Sequence, residues 1–167
     1  MKGQIRLLMD ESKAIISFDV TDKEWGKLKA YGLAYEAINI TLAKCKKINS
    51  EITIKLTNDN EIRVLNKKWR NNDRATNVLA FPNNINLNFV NPSKHIGDVI
   101  MSYSVIKCEA IQRNIFFTDH MIHLVIHGVL HLCGYNHINK KDEKIMIKHE
   151  KLILDEVGIK DPYISYN

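Results

Sequence analysis

The segment from His127 to His137, HGVLHLCGYNH, carries three imidazoles and a glycine at spacings that suit a single metal ion. His127 and His131 are four residues apart, so on a helix they project from one face about a turn apart. Gly134 is the residue type that ends a helix in a left-handed turn, which lets the chain double back and bring His137 in as a third donor. Three neutral imidazoles give a Zn²⁺ ion a tetrahedral site with one position left for water, the arrangement of catalytic rather than structural zinc. Water held there is acidified towards a pKa of about 7. Nickel or another imidazole-binding ion suits the same donors. The spacing reproduces the zincin pattern H-E-x-x-H-x-x-G-x-x-H with one exception, since Gly128 stands at the glutamate position.

That exception selects the chemistry. In zinc proteases the glutamate takes a proton from the attacking water and passes it to the leaving amine, and a glycine can do neither. A reaction in which charge develops on phosphoryl oxygens depends less on that base and more on a cation, for which a guanidinium able to reach two oxygens is well shaped. His123 lies one turn before His127 but about 12 Å along the axis from His131, so it reads as a buried neighbour of the donors rather than a fourth ligand. His95, His120 and His149 have no ligand spacing and read as surface or packing residues.

The elements that must position these groups follow from periodicity. Ala14 to Val20 reads as a strand, and Thr21-x-x-Glu24 as a capping box opening a helix to about Lys47. Glu51 to Thr57 alternates Ile52, Ile54 and Leu56 with polar residues, the signature of a half-buried strand. Asn58-x-x-Glu61 opens a helix ending near Arg70, followed by a polar turn over Asn71 to Arg74 and a strand from Asn77 to Phe81 closed by Pro82. Asn83 to His95 has no usable period and reads as a surface loop. Gly97 to Tyr103 reads as a strand, Ser104 to Arg113 as a helix, Thr118 to Cys133 as an apolar buried helix, and Lys140 to Val157 as a last helix. The expected fold is α/β (α+β): a small, mostly four-stranded sheet covered by helices, in one domain over residues 1–167.

Composition bounds the partners. The 167 residues include 24 Lys plus Arg against 19 Asp plus Glu, a formal charge of +5 that tolerates a nucleic-acid partner without demanding one. The clusters Lys44/Lys46/Lys47, Lys67/Lys68 and Lys140/Lys141 could line a phosphate-contacting rim or simply face solvent. No run approaches the roughly 18 apolar residues of a membrane span, because histidines interrupt the most apolar stretch, Met121 to Cys133. The first residues, MKGQIRLLMDESK, hold no apolar stretch of signal-peptide length, so a cytoplasmic location is expected. Cys45, Cys108 and Cys133 form no C-x-x-C pair and read as reduced thiols.

Taken with the histidine motif, the run Leu65-Asn66-Lys67-Lys68-Trp69-Arg70-Asn71-Asn72-Asp73-Arg74-Ala75-Thr76-Asn77-Val78-Leu79-Ala80-Phe81-Pro82 resembles the YbeY family of bacterial ribosomal-RNA maturation factors. Gly97-Asp98-Val99, Met146 with Glu150, and Asp161-Pro162-Tyr163 extend the resemblance over roughly residues 50 to 163. It implies a zinc-dependent endoribonuclease acting on single strands in 16S rRNA 3′ end maturation and ribosome quality control. The small ribosomal subunit and its RNA would be the partners. It also implies that His127, His131 and His137 hold the metal, and that Arg70, matching an arginine important for activity, stabilises the phosphate attacked by metal-bound hydroxide. Asn77, Ala80 and Asn136 depart from the family's usual Asp, Ser and Asp. Asp73 and Asp98 are further acids that could orient an imidazole or accept a proton, or serve as a turn residue and a strand-edge group. The alternatives are a non-catalytic ribosome-assembly or RNA-binding factor with a structural metal and, more distantly, a metal-dependent amide hydrolase.

Overall fold

The computed structural model describes residues 3–7, 14–83 and 94–163. A mixed sheet has the order β1-β2-β3-β5-β4, with β1 (Gly3–Leu7), β2 (Ile15–Val20), β3 (Glu51–Thr57), β4 (Val78–Pro82) and β5 (His95–Ser102). The three central strands β2, β3 and β5 run parallel, while β1 and β4 pair antiparallel at the two edges. The α+β class and the four expected strands are present, and Gly3–Leu7 adds a fifth at the edge of β2.

The helices are α1 (Tyr31–Lys44), α2 (Asp59–Arg70), α3 (Tyr103–Gln112), α4 (Phe117–Leu132) and α5 (Lys140–Glu156). They divide between the two faces of the sheet. Val99 and Met101 of β5 and Ala80 of β4 join the main core with α1 and α4, whereas Ile100 and Leu79 face the other way and pack with Ile62 of α2. This is the strict alternation of a strand covered on both sides. Helix α4 is the centre of the larger core: eleven of its sixteen residues are buried, as expected of a helix apolar nearly all round.

One expected element is corrected. The single helix from Thr21 to Lys47 is instead a short 3₁₀ turn, Lys23–Lys27, followed after a break by α1. Asp22 rather than Thr21 caps the turn, accepting from the Glu24 amide at 2.9 Å, while the Thr21 hydroxyl bonds Glu61 of α2 at 3.1 Å. The cause is tertiary: Trp25 is fully buried and donates its indole N–H to the Thr57 carbonyl at 2.9 Å, which fixes the turn against the end of β3. Of the expected loop Asn83 to His95, residues 84–93 lie outside the described residues, and His95 already belongs to β5. The three cysteines are free, and no single described helix is long and apolar enough to cross a membrane.

Candidate metal centre

Helix α2 places Arg70 at its last residue. Asn58 caps its start, accepting from the Asn60 and Glu61 amides at 3.0 and 3.1 Å, and Asn71 ends it in the left-handed conformation at φ 54°. The buried Asn66 donates to the Arg74 carbonyl at 2.8 Å, and Arg63 and Lys67 each bond Asp73 at 2.8 Å. Those two cations hold the Asp73 carboxyl at about 2. Asp73 is therefore the brace of the turn beyond Arg70 and does not line the cleft. Asp98 faces His95 at 3.2 Å and is likewise not part of the site.

Helix α4 carries His127 and His131 on one exposed-edge stripe and stops after Leu132. Gly134 adopts φ 97°, and the amides of Gly134 and Tyr135 bond back to the carbonyls of His131 and Leu130, both at 3.0 Å. The reversed chain then makes a turn in which the Asn136 side chain accepts from the Ile138 amide at 3.3 Å, delivering His137. The result is one group: a ring nitrogen from each of His127, His131 and His137 lies within 4.8 Å of the others, so these residues could hold a metal ion. The group opens on a cavity of about 380 Å³ lined by Arg70, residues 77–80, His127, Gly128, His131 and residues 136–138. Arg70 comes from one face of the sheet and the histidines from the other, and they meet past the edge strand β4.

The hydrogen bonds fix the tautomers. The Tyr135 carbonyl can only accept, so His131 carries its proton on Nδ1, 3.0 Å away. His127 Nδ1 donates to Glu150 Oε1 at 2.7 Å. With both rings neutral, both Nε2 atoms carry lone pairs that face each other 3.0 Å apart. Such an approach calls for a proton or a metal ion between the two nitrogens, so the donor set fits a metal ion. Burial, then the neighbouring His127 and His137 rings and Arg70, push the His131 pKa down to about 4 against the opposing bond to Tyr135. Its ring is neutral and ready to ligate across the whole neutral range.

Glu150 is the residue that spacing did not single out as functional. It is 1% exposed, on α5, and accepts from His127, from His123 Nε2 at 3.2 Å and from the Tyr163 hydroxyl. Burial opposes its ionisation, yet these three donors outweigh burial and hold the carboxyl at about 2. His123 thus stands behind the donors as a bonded neighbour and not among them. A signal existed in the sequence: Met146, Glu150, Ile153 and Leu154 share one helical face, and a carboxylate on an otherwise apolar face must have partners.

Gly128 has a packing reason. A Cβ there would meet the Val99 methyls at 2.7 and 3.1 Å, so the zincin glutamate, or another side chain, at that position would force α4 and Val99 apart. Asn77 also has a local account. Its amide donates to both oxygens of Glu109 at 3.0 and 3.2 Å, which an aspartate could not do, and Glu109 in turn bonds the buried His120 at 2.7 Å. Of the lysine clusters, Lys67 is paired with Asp73 and Lys44 with Glu156, and Lys44 and Lys46 border a separate cavity beneath the end of α4. Lys44 and Lys46 are not part of the rim of this cleft.

Residues 15–158 match the family described as Endoribonuclease YbeY. The chain is 33% identical over 151 residues to the Endoribonuclease YbeY of Bartonella bacilliformis, covering 89% of this chain and 96% of that protein. It is 39% identical over 114 residues to the protein of the same name from Vesicomyosocius okutanii, covering 68% and 77%. A solution structure of a Thermotoga maritima protein superposes with a TM-score of 0.52 at 23% identity, over 89% of this chain and 99% of that one, a likeness of fold. With the histidine motif and its geometry in place, these matches over most of the length show that the chain belongs to the Endoribonuclease YbeY family.

Proposed function

We propose that the protein is a zinc-dependent endoribonuclease that cuts single-stranded ribosomal RNA, with His127, His131 and His137 as metal ligands and Arg70 as the residue that stabilises the phosphate. The observation that carries this reading is the shared cavity: three imidazole donors and a guanidinium open on the same space. A metal ion bound there would supply Lewis acidity and water activation at neutral pH. The protein's own residues do the rest. Arg70, exposed at the mouth and permanently charged, binds the non-bridging oxygens of the phosphodiester and opposes the charge that grows on them. Glu150 and the Tyr135 carbonyl hold two donor rings in one tautomer and one orientation.

Gly128, closed off by Val99, removes the glutamate-based route and with it the main support for amide hydrolysis. The reading of a structural metal in a non-catalytic assembly factor calls for a fourth protein ligand, and among the described residues the group comprises three. Within this proposal the substrate is the 3′ end of 16S rRNA on the small ribosomal subunit, the setting is the cytoplasm, and the cut contributes to ribosome quality control.

The test is to strip the protein with a chelator, reload it with zinc, nickel or another divalent ion, and offer single-stranded and duplex fragments of the 16S rRNA 3′ end. Cleavage confined to metal-loaded protein and to the single strand supports the reading. Full metal occupancy with no cleavage of either substrate would instead favour the assembly-factor alternative.

A further inference from the structure

Two tryptophans have opposite environments. Trp25 is fully buried, but Trp69, the residue next to Arg70, is 61% exposed. Exposing an indole costs apolar surface, and this one is not left loose. The Phe81 ring meets it at 65° with centroids 6.1 Å apart, and Lys68 Nζ lies 5.0 Å from its centroid. Phe81 belongs to β4, whose residues 78–80 line the metal cleft, so the indole is braced on the same edge strand that separates Arg70 from the histidines. Lys68 also borders a shallow trough on the outward face of α2, where Arg63 and Lys67 are paired with Asp73.

We propose that Trp69 is a base-stacking subsite for single-stranded RNA, placing one nucleobase beside the cleft while Lys68 contacts the adjoining phosphate. A flat aromatic surface takes any base, because every base has a π-face, and flanking cations follow the backbone. An A-form duplex keeps its bases stacked on one another and offers none to the indole, so the subsite selects unpaired strands. Because Trp69 and Arg70 are consecutive at the end of one helix, a base held on the first sets the position of a neighbouring phosphate relative to the second. The inference rests on the reading of the cleft as an RNA-cutting site and adds the element that would choose the strand.

The experiment is a titration of the full chain with an oligouridylate or oligoadenylate twelve-mer, following tryptophan fluorescence and oligonucleotide anisotropy, with a duplex of the same length as comparison. Trp25 is sealed and bonded to Thr57, so quenching on binding reports Trp69. Stacking predicts quenching by the single strand and little by the duplex. It predicts that Trp69→Ala weakens single-strand binding about 5- to 150-fold, that Trp69→Phe restores most of it, and that both variants keep the melting temperature and metal content of the parent. In cleavage assays the Trp69→Ala loss should fall mainly on KM. Binding without quenching, equal affinity of parent and Trp69→Ala, equal quenching by the duplex, or no binding of the single strand would each overturn the subsite. The outcomes also separate it from the broader reading: quenching and tight binding without any cleavage leaves the subsite and removes the nuclease, whereas cleavage with an unchanged KM in Trp69→Ala does the reverse.

Discussion

Glu150 shows how one side chain can set the properties of three others. Its two oxygens accept hydrogen bonds from His127, His123 and Tyr163, and by fixing the His127 proton on Nδ1 it leaves Nε2 free to ligate. Replacing it by glutamine keeps the shape but removes the charge and offers an amide N–H where an acceptor is needed. We expect Glu150→Gln to lower metal affinity about 10- to 100-fold, as is typical when the partner of a ligating histidine is lost. A competition titration against a chromophoric chelator measures this without reference to activity, and unchanged affinity would show that the carboxylate does not act on the ligands. The clustering of His127, His131 and His137 was legible from spacing alone because their geometry is local to one helix and its turn. Glu150 is 23 residues from His127 and reaches it only through the packing of α5 on α4, which no local pattern encodes.

Among the elements, Gly97 of β5 and Gly128 of α4 let β4, β5 and α4 approach one another closely. Gly97 has φ 143°, and a Cβ there would lie 2.3 Å from the Phe81 carbonyl oxygen and 2.8 Å from Leu132. Gly97→Ala therefore strains β5 and pushes β4 away, and we expect a loss of at least about 2 kcal/mol in chemical denaturation. At Gly128 the obstacle is the Val99 methyls. Gly128→Glu should restore the zincin sequence without amidase activity. It should also lower stability by about 1–3 kcal/mol, even after the helix-propensity gain of less than about 1 kcal/mol over glycine. A variant that is as stable as the parent and hydrolyses peptides would refute the packing account. The alternation of Glu51–Thr57, the Asn58 cap and the Gly134 stop were legible because each is a short-range signal. The division of the expected first helix was not, because it depends on where Trp25 is buried and bonded across 32 residues.

The whole molecule couples this site to stability and to pH. Glu150 ionises near 2 in the folded chain against 4.5 for an ordinary glutamate, so its folded-state pKa is depressed. A depressed carboxylate contributes stability that is fully present above about pH 4.5 and is lost as pH falls from there towards 2. The acid limb of the stability curve should therefore flatten in Glu150→Gln, with denaturation midpoints of parent and variant converging below pH 3. The site itself spans the molecule. Arg70 on α2, His127 and His131 on α4 and His137 in the turn beyond it reach the cleft from opposite faces of the sheet across β4, so the proposed nuclease chemistry requires both layers to be intact.

That requirement makes one comparison decisive. Metal content and single-turnover cleavage of single-stranded RNA are to be measured on the same preparations of the parent and of Arg70→Ala, both fully loaded with zinc. The predicted result is one metal ion per chain in each protein, with cleavage by Arg70→Ala slower by about 10²- to 10³-fold, the scale of losing one charge-stabilising donor at a reacting centre. Equal cleavage rates at equal metal content would contradict the assignment of the cleft as a phosphodiester-cutting site built on His127, His131, His137 and Arg70.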